Sequence, residues 1–254
     1  MLKRARYSSE IIPFITSLLM STLRVSTPLI FAALAGLVSE RSGIIQIALE
    51  GMMLFGALVA AITAHFTGSA WLGLISGMLA TSTLALCKGF FVLKIKTDQI
   101  VTGTAFNIFV TGAAPFLTKI LFDSTGQTPS LISSARFTVE PLILAFLFAF
   151  LIHYLYKKSR IGLWLQFCGE APMALLVSGV SPTKIRWYSL AVCGALAGAG
   201  GASLSLYLSS SYSPLMTAGR GFMALAALIF GSWKPIPTLL ACLMFGFTDA
   251  LQIR

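Results

Sequence analysis

Five polar residues sit where an apolar chain does not easily carry them. Gln46 and Glu50 lie in the apolar run 43–66, Gln99 and Asn107 in the run 99–122, and Asp249 near the end of the run 235–251. Amide and ionisable groups inside apolar segments are costly, so they face a cavity or a partner. They could contact a small polar solute on its way through, or make interhelical hydrogen bonds that only hold packing. Glu50 is the stronger candidate for a path, because Gly51 beside it permits close backbone approach. Covalent chemistry has no comparable set of residues. His65 and His153 stand apart, with no carboxylate or nucleophile in a catalytic pattern. Cys87, Cys168, Cys193 and Cys242 have no paired spacing and read as small buried hydrophobes, neither metal ligands nor a disulfide framework. No Gly-Lys-Ser/Thr phosphate loop is present, and no cofactor is expected.

The elements that must position these residues follow from composition. The 254 residues are 57% hydrophobic and 10% charged, with a mean hydropathy of +0.88. Soluble domains carry roughly 25% charged residues. A span needs about 20 mostly apolar residues, so the chain has room for about seven to nine. The expectation is a single all-α domain over 1–254, a polytopic transmembrane helix bundle. The formal net charge of +10 does not point to nucleic acid. Its Lys and Arg residues fall in short clusters between apolar runs, the pattern that sets topology.

Those clusters lie at 3–6, 88–96, 157–160 and 184–186, and the positive-inside rule places all four in the cytoplasm. The polar loop 123–138 then faces out. A start at Lys3-Arg4-Ala5-Arg6 without a clear cleavage site reads as no cleavable signal peptide. Five simple spans between residues 11 and 156 would put two basic ends on opposite sides. One of the first two segments is therefore expected not to cross as one straight helix. Arg24 and Pro28 in the first, or Gly43 with Glu50 and Gly51 in the second, are the candidate breaks, and broken helices are tolerated where they line a cavity or lie buried in protein. The run 221–230 is apolar but too short to cross alone. The runs 43–56 and 219–231 are both Gly-bounded and lie in opposite halves, the pattern that points to a central site between repeats. Gly194, Gly198, Gly200 and Gly201 read as a close helix-packing face.

The segment 157–189 is apolar enough to tempt a transmembrane assignment. Its basic flanks, Lys157, Lys158 and Arg160 before and Lys184 and Arg186 after, argue for a cytoplasmic loop holding a short helix. Pro172 suits a first helical turn, Glu170 would meet the positive helix end, and Gly179 is a left-handed stop. Met173, Leu175, Leu176 and Val177 would then be presented near the membrane surface, toward a partner or flat on the lipid.

Four ordered stretches carry a resemblance. They are SERSGIIQIALEGMMLFGA (39–57), KTDQIVTGTAFNIF (96–109), CGEAPMALLVSGVSPTKIRWYSLAVCGALAGAGGA (168–202) and GRGFMALAALIFGSWKP (219–235). They resemble permease subunits of ABC importers for nucleosides, simple sugars and branched-chain amino acids, the nucleoside branch most of all. The resemblance implies that Gly169, Glu170, Pro172, Ala174, Gly179 and Val180 form the loop (about 157–186) that couples to an ATPase, with Ala171 in place of the usual Asn. It implies a bacterial plasma-membrane location. It also implies three partners: an ATP-binding cassette subunit, an extracytoplasmic substrate-binding protein and a second permease chain, related or identical. Members usually continue past the region 247–252 into a further span, so the end at Arg254 is expected to be short for the family. The alternative function is a secondary transporter or channel that works without an ATPase.

Overall fold

The computed structural model describes residues 2–124, 126–132 and 135–252, with the side chains of residues 2–13 left out. The helices are α1 (Leu2–Arg41), α2 (Leu49–Thr67), α3 (Ala70–Gly89), α4 (Gln99–Phe122), α5 (Glu140–Lys158), α6 (Arg160–Glu170), α7 (Pro172–Val177), α8 (Pro182–Ser203), α9 (Arg220–Phe230) and α10 (Pro235–Gln252). Among the described residues, six segments are long and apolar enough to cross a membrane: Phe14–Arg41, Leu49–Thr67, Ala70–Ile95, Gln99–Phe122, Glu140–Lys158 and Pro182–Leu208. The chain is a multi-pass all-α membrane protein.

Helix α8 is the axis of the bundle, packed against α1, α2 and α3. Its glycines make this possible: a Cβ on Gly194 would lie 2.6 Å from the Ser82 backbone, and one on Gly198 2.6 Å from the Gly77 carbonyl. Without a hydrophobic force between helices in lipid, such close backbone approach is what holds them together. Helices α4 and α5 sit at the periphery, with long apolar side chains such as Ile108, Phe116, Ile143 and Leu147 turned outward.

The two faces of the bundle are set by what meets at the helix ends. Arg41, Lys88, Gln99, Gly169 and Arg186 gather at one face with the basic loops, the cytoplasmic face by charge. The loop after α4 closes over the other: Thr128 N–H donates to the Tyr212 carbonyl and Phe137 N–H to the Leu206 carbonyl.

The parity problem posed by the basic clusters resolves in an unexpected way. Helix α1 runs unbroken past Pro28. Arg24, about 25 Å along the helix from Arg41 at its usual rise, rests against Tyr207 at the outer face. The described part of α1 therefore crosses from the outer face to the cytoplasmic face. The side chains of the cluster at 3–6 lie outside the described residues. The second segment is the broken one: residues 42–48 are not helical, and α2 begins only at Leu49.

A matching break lies in the other half of the chain. After α8 the backbone turns at the outer face and descends through residues 209–219 without helix. It becomes helical at Arg220, and α9 runs down to the cytoplasmic face, where Trp233 meets Glu40. Thus α2 and α9 begin inside the bundle and run in opposite directions.

Candidate functional site

The non-helical stretch 42–48 leaves backbone groups that a helix would have paired. Side chains from α1, α3 and α4 pair them. Ser39 Oγ donates to the Ile44 carbonyl at 2.9 Å. Gln99 Oε1 accepts from Ile45 N–H at 2.7 Å. Asn107 Nδ2 donates to the Ile47 carbonyl at 3.0 Å, and its Oδ1 accepts from Gly51 N–H at 2.8 Å. Lys88 Nζ donates to the Ile45 carbonyl at 2.9 Å and to Gln46 Oε1. Gln46 is fully buried, and its amide reaches the sulfurs of Met52 at 3.2 Å and Cys193 at 3.1 Å.

So Gln46, Gln99 and Asn107 are drawn together around one broken strand of backbone. Lys88 joins them, and reasoning from sequence missed it by counting it with the solvated topology cluster 88–96. A signal was present, since Lys88 is separated from Lys94 and Lys96 by an apolar stretch and lies on the helical side of the boundary. Asp98 caps α4, its carboxylate accepting from Ile100 and Val101 N–H at 2.9 Å each.

Glu50 bridges the two breaks. Its Oε1 accepts from Gly219 N–H at 2.9 Å and its Oε2 from Gly221 N–H at 2.7 Å. A carboxylate there satisfies the free donors of α9 and meets its positive dipole end. Gly221 is needed for the approach, because a Cβ would lie 2.5 Å from Glu50 N.

The cytoplasmic loop folds into two short helices, α6 and α7. Ser159 caps α6, accepting from Gly162 N–H at 3.3 Å. Pro172 opens α7, and Gly179 ends it at φ +82°. Glu170 closes α6 instead of sitting at the start of α7, and its charge goes to Arg41, 3.0 Å away. Leu175 is the buried anchor of α7 at 3% exposure, while Met173, Leu176 and Val177 face outward, Val177 at 90%. The Ala174 N–H bonds to the Ala171 carbonyl and the Val180 N–H to the Leu175 carbonyl, so both residues serve the turn geometry.

The base of this loop is tied to α1 at several points. A Cβ on Gly169 would lie 2.5 Å from the Arg41 carbonyl. Arg186 Nε donates to the Ser42 carbonyl at 3.2 Å, and its Nη2 to the Cys168 carbonyl at 3.5 Å. Burial pushes the Cys168 thiol above its ordinary pKa, with the Arg186 cation opposing. Arg41 also donates through Nε and Nη2 to the Trp233 carbonyl, at 3.1 and 2.9 Å. The end of α1 is thus one junction joining the α6–α7 loop, the break at 42–48 and the α9–α10 turn.

Comparison with known proteins gives the chain its relatives. The chain is 31% identical to the guanosine ABC transporter permease protein NupQ of Bacillus subtilis, covering 96% of this chain and 84% of that one. It is 33% identical to the putative glucose ABC transporter permease protein TsgC13 of Haloferax volcanii, covering 95% and 78%. It is 34% identical to the nucleoside ABC transporter permease protein NupC of Lactococcus lactis, covering 90% and 79%. No solved structure matches the chain. Residues 18–253 match the family described as branched-chain amino acid transport system / permease component, and with its helices broken in pairs and its braced cytoplasmic loop the chain belongs to that family of membrane permeases.

Proposed function

We propose that this permease forms the path for a nucleoside in an ATP-driven importer, with ATP hydrolysis on a separate cassette subunit at its cytoplasmic face. An extracytoplasmic binding protein delivers the solute, and a second permease chain completes the path. The observation that carries this reading is α7. A soluble or lipid-facing loop has no need to hold Val177, Met173 and Leu176 outward while its base is clamped through Arg41 and Arg186. A helix presented in this way suits a groove on a partner that pushes it. Gly169, Glu170, Pro172, Ala174, Gly179 and Val180 shape that lever. Gln46, Glu50, Gln99 and Asn107 hold the wall of the path where the helices are broken.

The names of the relatives from Bacillus subtilis and Lactococcus lactis support a nucleoside as cargo. The glucose permease of Haloferax volcanii keeps a simple sugar as the second reading. The test is uptake of radiolabelled guanosine, uridine and glucose into proteoliposomes holding the permease with its cassette and partner subunits. ATP-dependent uptake of a nucleoside supports the proposal. Uptake driven by an ion gradient with the cassette subunit omitted sinks it in favour of a secondary transporter.

A further inference from the structure

A second polar cluster lies apart from the braces around 42–48. Where α9 begins, Arg220 reaches across to α10, and its Nη2 donates to Asp249 Oδ2 at 3.1 Å. Asp249 is about 21 Å along α10 from Pro235 at the usual helical rise. That places it inside a hydrocarbon core of about 30 Å. The pair is not sealed in: the two side chains are 18% and 20% exposed. Arg220 Nη1 donates to the Met216 carbonyl at 3.3 Å, while its Nε is buried with no partner among the described residues.

Ala218, Met223, Thr248 and Gln252 complete a cavity of about 360 Å³ around the pair. That falls within the about 300–1,000 Å³ of small-molecule sites. Thr248 and Gln252 are exposed at its rim. An ion pair, an amide and a hydroxyl around an open cavity at membrane depth are costly against lipid, so this mouth faces a wet path or a partner.

We propose that this notch reads the base of the transported nucleoside, with Arg220 and Asp249 pairing to a lactam edge, the adjacent N–H and C=O of an oxopurine or oxopyrimidine. The base N–H donates to Asp249, whose Oδ1 takes no hydrogen bond among the described residues. The base carbonyl accepts from the Arg220 guanidinium, which is already held by Met216 and Asp249. Met223 offers the soft apolar surface on which a ring can lie. Thr248 and Gln252 are left for the ribose. With the ring's orientation fixed by the ribose at Thr248 and Gln252, a base with an amidine edge, such as adenine, puts an acceptor against the carboxylate and is refused, because a site built to pair a polar edge leaves its own groups unpaired when that edge is wrong.

This inference rests on the nucleoside reading, and the experiment separates the two. Uptake of guanosine, inosine, uridine, adenosine and cytidine is measured with the complete reconstituted importer carrying wild type, Asp249→Asn or Arg220→Lys, with complex yield checked by size exclusion. Wild type is expected to favour guanosine, inosine and uridine. Asp249→Asn is expected to lower kcat/KM for these by about tenfold or more while adenosine and cytidine change far less, and Arg220→Lys to act in the same direction. Should Asp249→Asn fail to assemble, the rim variants Thr248→Val and Gln252→Leu carry the test through raised KM for every ribonucleoside. In Asp249→Asn and Arg220→Lys, loss shared equally by all bases overturns the notch and leaves the permease reading standing, as does an unchanged KM for every ribonucleoside in both rim variants. A wild-type importer that moves no nucleoside overturns both.

Discussion

Glu50 and Gly221 bring two helix starts together inside the bundle. The Gly221 N–H lies 2.7 Å from Glu50 Oε2, and the glycine leaves no room for a side chain against the Glu50 backbone. Glu50 stands in the first turn of α2, and its carboxylate closes the first turn of α9. One residue thereby holds both broken segments, and the two halves of the chain meet through it.

Glu50→Gln is expected to lose uptake and to lower the melting temperature. The amide keeps one acceptor and turns a donor toward one of the two N–H groups. A hydrogen bond to a charged group contributes about 1.5–3 kcal/mol. Gly221→Ala is expected to cost about 1–3 kcal/mol by overpacking. Thermal unfolding in detergent, followed alongside uptake, checks both. Wild-type stability in both variants would mean that the junction is loose.

The Arg41–Glu170 pair makes a different prediction. Glu170 is largely exposed, so the pair adds little stability, about 0–1 kcal/mol. Its effect lies in orientation. Glu170→Lys is expected to leave the melting temperature within a degree or two of wild type and to uncouple ATP turnover from uptake. The charge swap Arg41→Glu with Glu170→Arg should restore part of the coupling. A swap no better than the single variant would show that the contact carries no motion.

Gly179 isolates the backbone. Nothing lies within 4 Å of a Cβ built there, and φ is +82°. Any penalty is therefore conformational, about 1–2 kcal/mol for a left-handed non-glycine residue. Gly179→Val is expected to loosen the end of α7 and weaken co-purification with the cassette subunit, with Gly179→Asn intermediate. Equal binding by all three would mean that the turn is not read by the partner.

Lys88 is expected to behave unlike Lys94 and Lys96. Lys88→Met keeps the length of the side chain but leaves the Ile45 carbonyl and Gln46 Oε1 without their donor. Each buried acceptor left unpaired costs about 1–3 kcal/mol. Folded yield should fall sharply for Lys88→Met and hardly at all for Lys96→Met, read by size-exclusion profiles of the solubilised protein.

Cys168 predicts a pH effect. Its folded thiol is raised by burial. The unfolded thiol ionises at about 8.5. Stability is therefore full below that pH and falls as pH rises through it, since the unfolded state loses its proton first. Cys168→Ala should flatten this slope between pH 8 and 10, measured as the difference in melting temperature from wild type.

The class of protein and the short helix within 157–189 were legible from local pattern. The apolar runs gave the spans, and Pro172, Gly179 and the basic flanks marked 157–189 as a loop with a short helix. The shortness of 221–230 and the glycines around 43–56 pointed to broken helices. Pro28 misled, since α1 runs unbroken past it despite the N–H it lacks. Charge counting misled at Lys88, which it grouped with Lys94 and Lys96 as a topology signal although its ammonium is buried on the Ile45 carbonyl and Gln46.

By itself the sequence determined what each segment can be, because hydropathy, helix caps and turn residues act over a few neighbours. Only the tertiary structure decided what each polar group does. Gln99 and Asn107 act on backbone more than fifty residues away, and Glu50 on backbone about 170 residues away. In a low-dielectric interior a broken helix must find every partner inside the protein, and which side chains supply them depends on how the helices pack, not on their order along the chain.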